Sequence, residues 1–229
     1  MRKLAGLLTL LCSLFTIAWL VILVADMATA GPLETFEQVS AHAARLHGLF
    51  YATYLNATLL TVVAVALFAA LHAWLKPTAP GWTVVGLVFV PIYGALNLIA
   101  YLSQVTLVPA LVTLRLDPRY ADAAALMLRL TLQTWPASAV AFFNGLAYAM
   151  LGIPSILYGA LLWRRGGALR WAGLLLALNG AACILGVIGA LIGSAQLAQG
   201  VMIGGVLFLL AMFPLGWGLW KKDHSTGHP

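Results

Sequence analysis

The sequence predicts an all-α, polytopic membrane protein with six transmembrane helices, and three observations lead to this prediction. Apolar residues make up 63% of the 229 residues, charged residues make up only 8%, and the mean hydropathy is +1.00. Soluble domains carry roughly 25% charged residues, which excludes an ordinary soluble core. Six apolar runs are long enough to cross a bilayer as helices, and they lie at about 4–25, 51–75, 82–108, 135–163, 169–192 and 197–220.

The first apolar run has features of both a signal peptide and a transmembrane helix. Arg2 and Lys3 give it a basic start, and the segment Ala28-Thr29-Ala30 resembles a signal-peptide cleavage site. Its apolar stretch of about 22 residues exceeds the core of a signal peptide, which has about 7–15, and matches the roughly 20 of a spanning helix. We therefore expect an uncleaved first transmembrane helix.

The distribution of charge predicts the orientation of the chain. If the N-terminus lies inside, eight of the twelve Lys and Arg residues fall in inner segments, whereas five of the six acidic residues fall outside. Lys and Arg accumulate on the cytoplasmic side of membrane proteins. We therefore predict an integral protein of a bacterial plasma membrane with both termini cytoplasmic, a single domain over residues 1–229 and a polar cytoplasmic tail at 221–229.

Two features that suggest other classes of protein have simple explanations in a membrane. The pI of about 9.6 does not indicate a nucleic-acid partner, because the basic residues lie at the predicted membrane edges. Cys12 and Cys183 both lie inside apolar runs, where a lone cysteine behaves as a small hydrophobic residue. The lipid bilayer is therefore the predicted environment, and no disulfide framework is expected.

Two predicted outer segments, about 26–50 and 109–134, are longer than the typical helix connection of 2–8 residues. In the first segment, Gly31-Pro32 can begin a helix, and apolar residues recur at helical spacing as far as Phe50. We therefore predict an amphipathic helix here, lying on the outer membrane surface or on the bundle.

The second long segment carries the same kind of pattern. Asp117 can cap a helix and Pro118 can open it. The residues that would share one apolar face of this helix are Ala123, Leu126, Met127 and Leu130. The two amphipathic helices either connect and pack the spans or form a lid over an outward-facing cavity.

Polar residues inside the predicted spans are amides and not charged groups. Because no Asp, Glu, Lys or Arg lies in the middle of a span, a carboxylate-based proton relay is not expected. Buried amides need partners, so they either bond helices together or line a neutral polar pocket. The predicted ligand-binding residues are Asn56, Asn97, Gln104, Asn144, Asn179, Tyr93 and Tyr101, with further aromatic walls from Tyr54, Phe143 and Tyr148.

The fifth and sixth spans are rich in glycine, which lets helices approach closely. These residues are Gly173, Gly180, Gly186, Gly189, Gly193, Gly200, Gly204 and Gly205. They indicate either tight packing within one bundle or a surface that docks a membrane-protein partner.

Catalytic and metal-binding motifs are not evident in the sequence. His42 and His47 are separated by about 140° on a continuous helix, so we predict that they do not share a metal ion. His47 could still meet Glu34 or Glu37 in three dimensions. No metal site or catalytic residue is therefore predicted, no cofactor is identified, and an enzyme is the less favoured class.

Three functions remain open at this point. The first is binding, and possible transport, of a small neutral or amphipathic molecule in the outward-facing polar pocket. The second is a non-catalytic accessory or structural subunit of a larger membrane complex. The third is an enzyme acting at the outer surface of the membrane, for which outer carboxylates and histidines must converge.

Overall fold

The structure, a computed structural model, describes residues 1–220. Within that range the chain forms nine helices and no strand, and six candidate spans are long and apolar enough to cross a membrane. The all-α, polytopic fold and its six spans are thereby confirmed. The polar tail predicted at 221–229 lies outside the described residues.

Six of the nine described helices have 21 residues or more, and the other three are shorter. In order, they are α1 (Arg2–Ala30), α2 (Phe36–Ala44), α3 (Gly48–Leu75), α4 (Pro80–Leu114), α5 (Ala121–Thr131), α6 (Ala139–Trp163), α7 (Gly167–Leu191), α8 (Ala195–Ala198) and α9 (Gly200–Trp220).

Both long connecting segments contain the predicted short helix, but each begins later than its proline suggests. Thr35 and Gln38 form a capping box at the start of α2, so this helix begins after Pro32 and not at it. Asp117 accepts a hydrogen bond from the Arg119 backbone, 3.0 Å away, and α5 begins only at Ala121. A side-chain capping box therefore fixes the start of α2, whereas α5 follows Tyr120 without a side-chain cap.

The buried face of α5 differs from the predicted apolar face. Ala124, Leu128 and Thr131 are buried, whereas Leu126 and Met127 of the predicted face are exposed by 61% and 45%. Exposed apolar side chains on a helix next to membrane spans are suited to contact with lipid. Amphipathicity alone identified the helix but not which of its faces packs on protein.

The chain separates into two compact units. The first unit comprises Met1–Ser13, Val63–Pro91 and the chain from Tyr148 onward; the second comprises Leu14–Val62 and Ile92–Ala147. Four of the long helices, α1, α3, α4 and α6, contribute residues to both units.

Glycines join α6 and α7 within the first unit. A Cβ added to Gly152 would lie 2.7 Å from the Gly180 carbonyl oxygen, and one added to Gly159 would lie 2.5 Å from that of Gly173. The pairing runs in opposite directions along the two helices, so they pack antiparallel with their backbones in contact.

Glycines also bring α7 close to α9. A Cβ on Gly186 would lie 2.6 Å from the Val201 nitrogen, and one on Gly204 would meet the Cys183 sulfur. Packing within the first unit therefore accounts for most of the predicted glycine surface. Gly205 is different, because nothing lies within 4 Å of an added Cβ. Docking of a partner through these spans stays a prediction.

An aromatic core occupies the second unit. Phe50 and Tyr54 make an edge contact with their ring centroids 5.0 Å apart, and Tyr54 and Tyr101 lie 6.4 Å apart. Phe36 packs edge-on against Trp135 at 5.6 Å and so joins α2 to this core. Burial of such large rings is the main apolar contribution to packing here.

Candidate functional site

Three side chains that commonly bind metals meet in the second unit. Asp26 lies near the end of α1, His42 lies in the last turn of α2, and His47 immediately precedes α3. Each offers a ligand atom, and these atoms all lie within 4.8 Å of one another. The Asp26 and His42 side chains are only 8% and 6% exposed, whereas His47 is 27% exposed and opens the cluster on one side.

A break in the helix brings the two histidines together. The helix α2 ends at Ala44, and Leu46 adopts a positive φ of 45°, which interrupts the helix before α3 begins at Gly48. The rings of His42 and His47 consequently lie with centroids 5.3 Å apart. The premise of one continuous helix across both histidines was wrong, and with it the argument that they point in different directions.

The carboxylate of Asp26 lies between the two imidazoles. The Oδ2 atom is 3.3 Å from His42 Nε2, and the Oδ1 atom is 3.2 Å from His47 Nε2. Only the first contact has the geometry of a hydrogen bond. Asp26 Oδ1, His47 Nε2 and His42 Nδ1 are buried and find no hydrogen-bond partner among the described residues.

The second nitrogen of His47 caps the following helix. The Phe50 backbone N–H donates to His47 Nδ1 at 3.2 Å, which satisfies one of the free N–H groups in the first turn of α3. In a neutral ring this bond places the proton on Nε2, toward Asp26. A metal ion on Nε2 would require this proton to move to Nδ1 and the capping bond to give way.

Helix ends add negative potential at the cluster. Asp26 lies in the last turns of α1, and His42 lies in the last turn of α2, so the carboxyl ends of both helices approach the same place. The C-terminus of a helix carries a partial negative charge that favours cations. Arg45 already donates to the Thr29 carbonyl there, at 2.9 Å. The site therefore favours a positive ligand.

Contacts with the neighbouring elements hold α2 in place. Arg115, after α4, donates to Ser40 Oγ at 2.8 Å. Arg129 of α5 lies 4.7 Å above the Phe36 ring and approaches Glu37 at 3.6 Å. These contacts fix the helix that carries His42, so the cluster is built on a packed scaffold. Glu37 takes part in this packing and is not a member of the histidine cluster.

The predicted amides of the second unit bond mainly to one another. Gln133 Nε2 donates to Asn144 Oδ1 at 3.0 Å, and Asn144 Nδ2 donates to Asn97 Oδ1 at 2.9 Å. Gln104 donates to the Thr131 carbonyl at 2.9 Å and accepts from the Gln133 backbone at 3.1 Å. This amide chain links α4, α5 and α6, as interhelical bonds do. Asn97 Nδ2 and Gln133 Oε1 are buried without described partners at its two ends.

The remaining predicted amides each bond to a backbone carbonyl. Asn56 Nδ2 donates to the Phe15 carbonyl at 2.8 Å, which joins α3 to α1. Asn179 Nδ2 donates to the Gly204 carbonyl at 2.8 Å, which joins α7 to α9 in the first unit. Neither side chain therefore takes its partner from the amide chain.

The predicted aromatic residues are distributed over both units. Tyr54, Tyr93 and Tyr101 are buried, and all three belong to the second unit. Phe143 is 41% exposed, and Tyr148 belongs to the first unit. A role of these residues in binding a ligand stays a prediction.

Sequence reasoning missed the convergence of Asp26 with the two histidines. Their spacing in the sequence, 26, 42 and 47, fits no short metal-binding motif, since the chain must turn back twice to bring them together. Comparison with protein-family models, with curated proteins and with solved structures finds no match to this chain. The chemistry of the site therefore rests on its own geometry.

Proposed function

We propose that this protein is a membrane metalloprotein that holds one divalent transition-metal ion through Asp26, His42 and His47. The observation that carries the proposal is the buried meeting of three ligand side chains with unpartnered nitrogen and oxygen atoms. Two imidazoles and one carboxylate are a ligand set of catalytic zinc and of non-haem iron.

The distances within the cluster suit a small, tightly bound ion. Ligands placed about 2.0–2.1 Å from a tetrahedral zinc ion lie about 3.3 Å from one another. The two contacts from Asp26 to the histidines, 3.3 and 3.2 Å, are of this size, but they use different carboxylate oxygens. The three ligand atoms as a set lie within 4.8 Å of one another, so the side chains would close in further around the ion.

The number of ligands favours a chemical role over a structural one. Structural zinc sites are closed by four protein ligands, whereas three ligands leave a position for water or a substrate. The partial exposure of His47 gives that position a route from outside the protein. This combination supports the third function predicted from the sequence, an enzyme at the outer surface of the membrane, to which the ion would contribute Lewis-acid chemistry.

Cobalt binding tests the proposal directly. The full chain in detergent is stripped with a chelator and titrated with Co²⁺, whose visible absorption distinguishes a four-coordinate protein site from the hydrated ion. We expect one Co²⁺ per chain with an intense visible band. Asp26→Asn and His42→Gln should each weaken binding more than about hundredfold, because even partners of metal ligands contribute 10–100-fold.

His72→Gln is the matched control, because His72 lies in the first unit and contacts the Thr83 carbonyl at 3.0 Å. It should leave the cobalt band unchanged. The proposal fails if the wild-type protein shows only the spectrum of hydrated Co²⁺, or if Asp26→Asn binds as tightly as His72→Gln. In that event the cluster is a packing contact in which one hydrogen bond joins Asp26 of α1 to His42 of α2, with His47 beside it.

A second candidate function, binding of a small neutral molecule, is favoured by one specific observation. The amide chain ends in a buried donor, Asn97 Nδ2, and a buried acceptor, Gln133 Oε1, neither with a described partner. Such groups fit an uncharged ligand with both kinds of hydrogen-bonding atom. Native mass spectrometry of the gently extracted protein should then reveal an added mass that Asn97→Leu loses without unfolding. A bare wild-type chain would count against this function.

The orientation of the chain is also proposed. Within residues 1–220, all acidic residues belong to the second unit, whereas Arg2, Lys3, Lys76 and three arginines near the start of α7 belong to the first. From the positive-inside rule we infer that the loop after α3 faces the cytoplasm of a plasma membrane. An impermeant maleimide applied to intact cells should label Asp122→Cys but not Thr78→Cys. The opposite labelling would reverse the orientation.

A further inference from the structure

Four basic side chains form an exposed patch in the first unit, here called the cationic patch. Lys76 follows α3, Arg164 and Arg165 follow α6, and Arg170 lies in the first turn of α7. Arg165 joins the two loops, because its Nη2 atom donates to Thr78 Oγ1 at 3.3 Å. The patch therefore lies where three candidate membrane spans begin or end.

No acidic side chain compensates the cationic patch within the described chain. The acidic residues of residues 1–220 are Asp26, Glu34, Glu37, Asp117 and Asp122, and all belong to the second unit. The two arginine–carboxylate pairs of the described chain, Arg119 with Asp117 and Arg129 with Glu37, also lie in the second unit. Four neighbouring cations without an anion among residues 1–220 repel one another, so a negative ligand is favoured here.

The guanidinium groups of two of the arginines lie over indole rings. The Arg165 guanidinium lies 4.4 Å above the Trp74 ring, and that of Arg170 lies 4.2 Å above the Trp163 ring. Stacking engages the flat face of a guanidinium and leaves its N–H edges free to donate. These edges can bind two phosphate oxygens at once, which is the arrangement that arginine provides and lysine does not.

The surroundings of the cationic patch distinguish a lipid from a soluble anion. Trp163 and Trp171 are exposed by 37% and 60% at the ends of candidate spans, where indoles typically lie at the level of lipid headgroups. Exposed apolar surface next to fixed cations suits a ligand that is charged at one end and apolar at the other. A free phosphate ion would use the charges and leave the apolar surface without a partner.

We propose that the cationic patch binds the phosphate headgroup of an anionic phospholipid, with Arg165 and Arg170 as the principal donors and Lys76 and Arg164 as supporting charges. This site is separate from the metal cluster in residues and in chemistry. Basic pockets between membrane helices are suited to such headgroups.

Lipid retention measured by native mass spectrometry tests the proposal. The full chain in detergent is titrated with phosphatidylglycerol or with phosphatidylcholine of the same acyl chains, and the bound fraction is read from the spectra. We expect preferential retention of phosphatidylglycerol. Arg165→Gln and Arg170→Gln should each weaken it about fivefold, which corresponds to the loss of one basic residue near an anionic surface.

Arg119→Gln is the control, because Arg119 is an exposed arginine of the second unit. It should retain phosphatidylglycerol as the wild type does. Arg170→Gln is the variant less prone to misfold, because the Arg170 side chain makes no hydrogen bond to a described residue, whereas the Arg165 side chain bonds to Thr78. Equal retention of the two lipids, or equal retention by Arg170→Gln and Arg119→Gln, would overturn the proposal. Displacement of the lipid by millimolar inorganic phosphate would instead identify a soluble phosphate as the ligand and would overturn it too.

Discussion

Because α6 and α7 approach closely, we predict that one added methyl group between them lowers the free energy of unfolding. In Gly152→Ala the new Cβ would lie 2.7 Å from the Gly180 carbonyl oxygen and 3.2 Å from the Gly180 Cα. Ordinary contact begins near 3.4 Å, so the two backbones must separate by about 0.7 Å. The obstacle is main chain on a packed helix, which cannot turn away as a flexible side chain could.

The expected change in the free energy of unfolding of Gly152→Ala combines two opposing effects. Overpacking of a close contact costs about 1–3 kcal/mol. Replacing glycine by alanine inside a helix returns up to about 1 kcal/mol through helix propensity. Gly205→Ala isolates the second effect, because Gly205 is helical and an added Cβ meets nothing within 4 Å. The free energy of unfolding of Gly152→Ala should therefore lie about 1–3 kcal/mol below that of Gly205→Ala.

Unfolding by titration with sodium dodecyl sulfate, followed by tryptophan fluorescence and far-UV circular dichroism, measures this difference. The chain has 8 tryptophans, so a fluorescence change on unfolding is expected. If Gly152→Ala is as stable as Gly205→Ala, then α6 and α7 do not pack with their backbones in contact. In that case helix packing within the first unit does not explain the glycine-rich sequence. The glycines would then be free to serve a partner.

Three further predictions test other contacts. Tyr158→Phe removes the bond from the buried hydroxyl to the Thr83 carbonyl at 2.9 Å and should lower the free energy of unfolding by about 1 kcal/mol. Asn144→Leu leaves two amide groups of the amide chain without partners and should cost about 1–3 kcal/mol, while adding Asn97→Leu should cost less than additivity predicts in a double-mutant cycle. The pKa of Asp117 is held below its ordinary value by hydrogen bonds from Arg119, so Arg119→Gln should raise it in a carboxyl NMR titration. The ion pair stabilises the fold above the ordinary pKa and is lost as the pH falls through the lowered one, and an unchanged titration in Arg119→Gln would refute this assignment.

The spans could be predicted because lipid imposes a simple rule along the chain. The fifth run was predicted at about 169–192 and the helix is Gly167–Leu191, since length and hydropathy alone decide such a segment. The second run, predicted at about 51–75, begins three residues earlier at Gly48. Its start is set by His47, whose Nδ1 atom accepts from the first turn. A cap of this kind is a local bond that hydropathy does not describe.

The hydrogen-bond partners of the buried amides are a second feature that the sequence did not predict. Their need for partners followed from chemistry, but Asn97 could have bonded to several other helices at the same depth. The structure pairs it with Asn144, whereas Asn179 bonds to a carbonyl of α9. Which partner each amide takes depends on helix order and rotation, and both are set by packing over the whole bundle. The residue types were therefore predictable, but their pairing was not.

The histidine cluster depends on a positive φ at Leu46, and a leucine does not predict this conformation. A positive φ is ordinary for glycine but costs a branched residue such as Leu46 about 1–2 kcal/mol. Gly48, two residues later, would have been the natural place for the turn, yet it lies inside α3. The packed contacts of α2, among them Arg115 with Ser40, must therefore compensate for the strain at Leu46. The positive φ of Leu46 is what brings His47 beside His42. The packing of α2 therefore stabilises the cluster through a turn at Leu46, whereas the sequence alone favours a turn at Gly48.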